Sequence, residues 1–213
     1  MCLPMGAQEY GMNQGNCGGS AAHSPASAPT GLRCLHLPGW LDSDAAHWQA
    51  HWWQRPGHEK LEQADWQWPR RGDWMARLDE ALLAPDPRPV LLIAHSLGCQ
   101  LVAAWAEHSA HSTRVAGALL VAPPDTERPD MPPQLHNWRP MRRSRLPFPA
   151  LAVISSDDPY CDPGRARGLC ADWGAEVVEA GARGHLNAAS GLGDWPEGLA
   201  LLERLVAQVS RRG

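Results

Sequence analysis

The sequence predicts an α/β protein in three layers, with a mostly parallel sheet of about six strands and helices on both faces. Short apolar runs alternate along the chain with segments of helical periodicity, which is typical of parallel strands joined by helices. Two of these runs, 90–94 and 115–121, contain no polar side chain, as expected for strands covered on both faces. The 213 residues are enough for one such domain and too few for two catalytic domains.

Composition and charge exclude several functional classes. The apolar fraction of 44% supports a real core, and the charged fraction of 20% with a net charge of -4 argues against a disordered or nucleic-acid-coating protein. Arg142, Arg143 and Arg145 form a basic cluster without interleaved aromatic residues, so we interpret it as a solvated face. We therefore expect no nucleic-acid partner.

Cysteine usage and hydropathy bear on the compartment. The six cysteines show neither a CxxC pair nor metal-ligand spacing, and such scattered thiols suit a reducing compartment better than a disulfide framework. The chain contains no run of about 18 apolar residues, and its N-terminus lacks the basic and apolar regions of a signal peptide. We expect a cytoplasmic protein without a bound metal or a membrane span.

The first 30 residues differ from the rest in composition. They are rich in Gly, Ser, Ala, Asn and Pro and show no periodicity, so we predict a disordered tail over 1–30, or a mis-assigned start. The α/β domain is then predicted to occupy 31–213.

Two strands and two helices are predicted before the central strand, in the order strand, helix, strand, helix at 32–37, 43–54, 61–64 and 73–83. Pro38 ends the first strand, Ser43 or Asp44 caps the first helix, and Asp73 opens the second. The apolar residues of the second helix recur at intervals of four on one face: Trp74, Leu78 and Leu82.

The alternation is regular from the central strand onward. Strands are predicted at 90–94, 115–121, 150–154 and 176–178, and helices at 97–108 and 164–173. Asp194 and Glu197 have the spacing of a capping box, which predicts the start of a last helix. The apolar residues of that helix share one stripe: Trp195, Leu199, Leu202, Val206 and Val209.

The ligand crevice of such a sheet lies beyond the carboxyl ends of its strands. At the end of the central strand stands Ala94-His95-Ser96-Leu97-Gly98, a nucleophile elbow with Ala in place of the first Gly. The sharp turn needs small neighbours, and it places the Leu97 N–H where it can face a developing oxyanion. The alternative is that Ser96 only caps the helix; the strand–motif–helix context favours a nucleophile.

A serine nucleophile needs a general base, which we expect to follow it in the chain. His185 lies in Gly184-His185-Leu186-Asn187, shortly after the last short strand, in a glycine-flanked loop that can reach back to Ser96. His111 is too near Ser96 in sequence, and His136 lies in a proline-rich segment. We predict His185 as the base.

The base needs an orienting carboxylate. Asp157 and Asp158 directly follow the predicted strand 150–154, and Asp125 follows the strand before it. We favour Asp158, because Pro159 holds its backbone extended, whereas Asp157 could make local turn bonds. Asp157 and Asp125 remain alternatives.

The loop after the first strand, His36-Leu37-Pro38-Gly39-Trp40, can supply the second donor of an oxyanion hole. The backbone N–H of Trp40 is the candidate. An ordinary Pro-Gly turn is the alternative.

These motifs together resemble a known family. Leu37-Pro38-Gly39-Trp40, Ser43, His47-Trp48-Gln49, His95-Ser96-Leu97-Gly98, Ser156-Asp157-Asp158-Pro159 and Gly184-His185-Leu186-Asn187 are similar to those of the small serine hydrolases of the YdeN type, which include retinoblastoma-binding protein nine. The resemblance spans the chain from about Leu32 onward. It implies an α/β-hydrolase fold with little or no cap and a triad of Ser96, Asp158 and His185. We derive no catalytic role for His47-Trp48-Gln49 and interpret it as helix packing beside the first loop.

The expected function is hydrolysis of a small ester, thioester or amide through an acyl-enzyme on Ser96. The expected partner is a small acyl substrate, with no cofactor, and the chain is expected to be a monomer or a small homo-oligomer. Two other functions stay open: a catalytically silent binding protein of the same fold, and an acyltransferase on the same scaffold.

The segment between the strands 115–121 and 150–154 bears on substrate size. Its eight prolines disfavour helix interiors, so we predict an extended flap rather than a multi-helix lid. Met131, Leu135, Trp138 and Met141 are candidates to line the crevice, with packing on the sheet edge as the alternative. A shallow, lidless site is expected to favour short acyl chains.

Overall fold

A computed structural model describes residues 31–211 of the chain. The predicted tail, 1–30, lies outside the described residues. The middle layer is a six-stranded, all-parallel sheet with the strand order β2-β1-β3-β4-β5-β6. Its strands are β1 Arg33–Leu37, β2 His58–Lys60, β3 Val90–His95, β4 Val115–Val121, β5 Ala150–Ile154 and β6 Glu176–Glu179.

Within residues 31–211, five α-helices cover the two faces of the sheet. They are α1 Trp48–Trp52, α2 Arg71–Leu82, α3 Leu97–His108, α4 Pro163–Trp173 and α5 Pro196–Ser210. Short 3-10 helices occur at Ser112–Arg114, Pro133–Trp138 and Ala188–Ser190. None of the helices within residues 31–211 combines the length and the apolar character that crossing a membrane requires.

The central strand separates two apolar cores because its side chains alternate between the faces. Leu92 and Ala94 pack with α2, α3 and α4, whereas Leu91 and Ile93 pack with α1 and α5. We call these the α2–α4 face and the α1/α5 face. The predicted three-layer α/β fold is confirmed.

The part of the chain that the structure describes contains four free cysteines, all buried and distributed over these two cores. Cys34 belongs to the α1/α5 face, and Cys99, Cys161 and Cys170 belong to the α2–α4 face. No cysteine of the described residues is in a disulfide.

Strongly periodic elements have the predicted bounds. The helix 97–108 and the strands 115–121 and 150–154 begin and end where the pattern places them. The predicted helix 43–54 was too long: α1 has five residues. Asp44 instead makes a turn in which its carboxylate accepts from the Ala46 N–H at 2.8 Å, and the helix begins only after His47.

Two further local predictions were wrong. The weak strand predicted at 61–64 lies earlier, at His58–Lys60, because the parallel register pairs Cys34 with His58 and His36 with Lys60. The capping box of Asp194 and Glu197 is absent: Trp195 occupies the position before α5 without a side-chain cap. The Asp194 carboxylate lies 2.9 Å from His51 Nδ1 instead.

The connection between β4 and β5 contains one short 3-10 helix and, within the described residues, no α-helix. Trp138 and Met141 are buried in the core of the α2–α4 face, so these two side chains pack in the core and do not line the crevice. Met131 and Leu135 reach the cavity described below.

Candidate active site

Ser96 lies at the sharp turn between β3 and α3. Its backbone has φ 53° and ψ -123°, a strained conformation for a residue with a side chain. Two glycines make the turn possible. A Cβ on Gly98 would lie 2.2 Å from the Leu37 carbonyl oxygen, and one on Gly39 would lie 2.7 Å from Ser96 Cβ. A larger residue at position 98 would collide with the backbone at the end of β1, and one at position 39 would collide with Ser96.

A hydrogen-bonded series joins Ser96, His185 and Asp158. Ser96 Oγ lies 2.8 Å from His185 Nε2, and His185 Nδ1 lies 2.9 Å from both carboxylate oxygens of Asp158. Since the carboxylate only accepts, Nδ1–H donates to Asp158 and Nε2 accepts from the serine hydroxyl. The side chains of His185 and Asp158 are only 7% and 4% exposed, so little water competes for these bonds.

The other two candidate acids have different partners. Asp157 Oδ1 accepts from the Gly184 N–H at 2.7 Å and from Ser155 Oγ at 2.8 Å. The Ser155 hydroxyl, followed by the Gly184 N–H, lowers the pKa of Asp157. Asp125 lies 3.2 Å from Arg165 Nε. The structure therefore places Asp158 against the imidazole, with Asp157 holding the loop before it.

The other two candidate bases lie away from Ser96. His111 Nδ1 lies 3.0 Å from an Asp79 carboxylate oxygen, and His136 Nε2 lies 3.3 Å from the Met131 carbonyl oxygen. Neither imidazole lines the cavity at Ser96.

The two expected oxyanion donors flank the serine. Leu97 is the first residue of α3, and Trp40 directly follows Gly39, where any Cβ would collide with Ser96. Within the described residues neither N–H donates to another protein group. The Trp40 side chain is anchored by its indole N–H, which donates to the Gln67 carbonyl at 3.0 Å.

A cavity of about 250 Å³ opens over Ser96 and His185. Its two walls differ in chemistry. The connection after β4 supplies an apolar wall of Pro124, Met131, Pro132 and Leu135. The loop after β1 supplies a polar wall of Asp42, Ser43, Asp44 and His47. Since β1 and β4 flank β3 on opposite sides, the walls face each other across the nucleophile. Within residues 31–211 no three metal-binding side chains converge.

Comparison with known proteins agrees with this geometry. The family model described as serine hydrolase matches residues 34–204. The chain belongs to the serine hydrolase family. Among curated proteins no sequence match was found.

Solved structures of similar proteins extend the comparison. A YdeN-like hydrolase from Pectobacterium atrosepticum is 30% identical, covering 84% of this chain and 92% of its own, with a TM-score of 0.72. The ydeN gene product of B. subtilis is 18% identical over 83% and 98% of the two chains, with a TM-score of 0.64. The esterase RhEst1 from a Rhodococcus species is 13% identical over 86% and 92%, with a TM-score of 0.60. The predicted YdeN-type α/β-hydrolase is thus confirmed; the last two likenesses show the fold alone.

The connection between β6 and α5, which carries His185 and is called the histidine loop below, is held in this serine hydrolase by residues that sequence reasoning missed. The His95 imidazole donates from Nε2 to the His185 carbonyl at 2.9 Å, and the Trp48 indole donates to the Leu186 carbonyl at 2.8 Å. Leu186 has a positive φ of 48°, so these bonds hold a strained turn. Burial lowers the pKa of His95 well below its usual value, and the cationic form of His185 adds to this.

The shared motif His47-Trp48-Gln49 is thereby accounted for in this serine hydrolase. His47 caps α1, Trp48 holds the histidine loop, and Gln49 Nε2 donates to the Ile93 carbonyl of β3 at 3.0 Å. The aromatic spacing was a signal in the sequence, but its partners are distant along the chain and only the fold reveals them.

Proposed function

We propose that this serine hydrolase is an esterase for small substrates, which forms an acyl-enzyme on Ser96. The observation that carries the proposal is the series Ser96 Oγ, His185 Nε2 and Nδ1, Asp158 carboxylate, with each contact between 2.8 and 2.9 Å. A serine hydroxyl is a poor nucleophile alone, and a neutral imidazole held by a carboxylate is the base that activates it.

In the first step Ser96 Oγ bonds to the carbonyl carbon while its proton passes to His185 Nε2. The tetrahedral intermediate collapses, the bond to the leaving oxygen breaks, and His185 returns the proton to that oxygen. Water then attacks the acyl-enzyme by the same route, with His185 as base, and releases the acid. Asp158 holds the imidazole in the required tautomer and stabilises the imidazolium that forms.

The oxyanion of the intermediate is assigned to the backbone N–H groups of Trp40 and Leu97. Both residues line the cavity beside Ser96, and neither N–H is used elsewhere within the described residues. Fixed donors of this kind stabilise charge that develops only in the transition state, so each is worth about two to three orders of magnitude in kcat.

The apolar wall is assigned to the acyl chain. A cavity of about 250 Å³ without a helical lid buries few methylenes, each of which contributes about 0.8 kcal/mol. Short acyl groups are therefore favoured over long ones, and no rise in activity at a lipid–water interface is expected.

The experiment that tests the proposal combines labelling and turnover. A fluorophosphonate should label the wild-type protein at Ser96, and p-nitrophenyl esters of increasing acyl length should be hydrolysed best at short lengths. Ser96→Ala should remove labelling and lower kcat by about a millionfold, while circular dichroism stays that of the wild type, because the elbow accepts a small residue.

Folded wild-type protein that neither labels nor turns over any ester of the panel would contradict the proposal and favour a binding protein. Equal turnover by Ser96→Ala would contradict the role of Ser96. Transfer of the acyl group to an added alcohol in preference to water would show an acyltransferase instead.

A further inference from the structure

His47 carries a hydrogen-bond donor whose position is fixed by its own cap. The backbone N–H of Gln49 donates to His47 Nδ1 at 3.1 Å, so Nδ1 is an acceptor and the neutral ring carries its proton on Nε2. The residue is only 4% exposed. Its tautomer is therefore determined by the backbone of α1.

That Nε2–H is buried and has no hydrogen-bond partner among the described residues. Buried donors in folded proteins are nearly always paired, so an unpaired one needs an explanation. His47 lines the cavity that contains Ser96, so this cavity is the place where the donor can gain a partner.

The donor lies on the side of the cavity where the leaving group must be. The His47 ring packs edge-on against His95, with centroids 4.6 Å apart, and the His95 ring is 5.0 Å from that of His185. Trp48, the next residue, donates to the carbonyl of Leu186. Because His185 returns its proton to the departing oxygen, the alcohol part of an ester lies beside these residues.

The charge around His47 selects the kind of acceptor. The polar wall also contains Asp42 and Asp44, and among residues 31–211 only Asp42 of the two has a cationic partner, Lys60 at 2.6 Å. An anionic group would be repelled by these carboxylates, whereas a neutral oxygen would not.

We propose that His47 Nε2–H donates to a neutral acceptor oxygen, an ether, hydroxyl or amide oxygen, in the alcohol part of the substrate. This rests on the proposed esterase function and names the class of ester that the site prefers. His47 is then a specificity-determining residue of the polar wall.

The donor is unaffected by pH over the working range. Burial, the largest cause, lowers the pKa of His47 to about 4, with the cationic form of His185 acting in the same direction and Asp44 opposing. The ring is thus neutral near pH 7 and keeps its single proton on Nε2.

An isosteric pair of acetate esters tests the proposal. 2-Methoxyethyl acetate and n-butyl acetate differ by one ether oxygen in place of a methylene. The wild type should prefer the ether ester by about tenfold in kcat/KM, the value of one neutral hydrogen bond. Acetoxyacetate, whose leaving group is anionic, should be the slowest of the three.

Two variants separate the donor from the cap. In His47→Asn the amide oxygen stays at the position of Nδ1 and keeps the cap, but the distal donor is lost, so the preference for the ether ester should fall to about one. In His47→Gln the amide N–H stands near the position of Nε2, and the preference should persist. Thermal unfolding of both variants checks that each is folded.

A readout without turnover keeps this test separate from the proposed function. In 15N-labelled Ser96→Ala protein, the His47 Nε2–H resonance should shift with 2-methoxyethyl acetate and not with n-butyl acetate. If no ester is hydrolysed, the esterase proposal fails and this titration still decides the role of His47.

Three results would overturn the inference. They are an unchanged ester preference in folded His47→Asn, an equal response of the resonance to both esters, and faster turnover of acetoxyacetate than of the ether ester.

Discussion

Two adjacent aspartates hold different parts of the loop that carries His185. Asp158 faces the imidazole with both oxygens at 2.9 Å, while Asp157 Oδ1 accepts from the backbone of Gly184. Asp158 Oδ1 also accepts from the Tyr160 N–H at 2.9 Å, which fixes the carboxylate in its turn. One carboxylate therefore acts on the base and the other on the chain beside it.

Asp158→Asn should lower kcat by about three to four orders of magnitude, because an amide facing Nδ1 favours the wrong tautomer of His185. Steady-state kinetics on a short p-nitrophenyl ester measures the loss. Asp157→Asn is the matched control: its amide oxygen can still accept from Gly184, so kcat should fall less than about tenfold. Equal losses in the two variants would show that the assignment of the acid is wrong.

At the scale of single residues, the sequence predicts the residues whose role can be recognised from a local motif. Ser96 stands in a strand–turn–helix motif, and His185 stands in a glycine-flanked loop after a strand. His47 and His95 could not be found in the same way, because their roles depend on contacts across the fold. The choice between Asp157 and Asp158 depended on two local arguments, the extended backbone before Pro159 and the local turn bonds open to Asp157.

At the scale of elements, α1 is a small helix that holds the histidine loop from behind. Its two buried indoles each donate to a backbone carbonyl of that loop: Trp48 to Leu186 at 2.8 Å and Trp52 to Asp194 at 2.9 Å. Leu186 is adjacent to His185 in the chain, whereas Asp194 is nine residues beyond it.

Trp48→Phe should lower kcat by about ten- to a hundredfold with little change in KM, because a loosened Leu186 lets His185 shift from its contact with Ser96. It should also cost about 1–3 kcal/mol in the free energy of unfolding, since the Leu186 carbonyl loses its donor. Trp52→Phe removes a comparable bond and serves as the control. Kinetics combined with urea unfolding separates the effects; equal kcat losses in both variants would refute a local role for Trp48.

The clarity of the local pattern explains which parts of the fold the sequence predicts. The helix α3 and the strands β4 and β5 have a clear helical period or an unbroken apolar run, and their bounds were predicted correctly. α1 has five residues and β2 has three; neither has such a pattern, and their bounds are determined by tertiary contacts. For β2 the parallel register with β1 decides the position, and no local pattern contains that register.

The apolar wall should determine acyl length. Met131→Ala removes a partly buried side chain from the cavity wall, so the ratio of kcat/KM for a hexanoate ester to that for an acetate ester should rise several-fold, at about 0.8 kcal/mol per newly buried methylene. The p-nitrophenyl ester panel measures the ratio. Met75→Ala, in α2 and away from the cavity, should leave it unchanged. No change in Met131→Ala would place the acyl chain elsewhere.

At the scale of the whole molecule, four buried histidines are held neutral. Burial lowers the pKa values of His47 and His58 to about 4 and those of His36 and His95 well below the usual range. His36 Nε2 and His58 Nδ1 lie 2.9 Å apart and share one hydrogen bond. The folded state thus binds fewer protons than the unfolded state between about pH 6.5 and pH 4.

Stability should therefore be highest above about pH 6.5 and fall as the pH approaches 4, by about 1.4 kcal/mol per pH unit for each histidine. Urea unfolding at pH 7.5, 6.0, 5.0 and 4.5 measures the slope. His58→Asn, whose amide group still faces His36 Nε2, should reduce the slope by the contribution of one histidine, about 1.4 kcal/mol per pH unit. A free energy of unfolding that stays constant from pH 7.5 to 5.0 would contradict neutral burial.

The reactivity of the four buried thiols reports which part of the fold opens. Burial raises the pKa of Cys34, Cys161 and Cys170 to about 12 and that of Cys99 well above its usual value. While the protein is folded, these four thiols are therefore neither exposed to an alkylating reagent nor ionised. Pulse alkylation followed by peptide mass spectrometry then measures the rate at which each thiol becomes accessible. Cys34 reports on the α1/α5 face, and the other three report on the α2–α4 face. Equal rates at all four sites would mean that both faces open in one event. A faster rate on one of the two faces would show which helical layer separates from the sheet first.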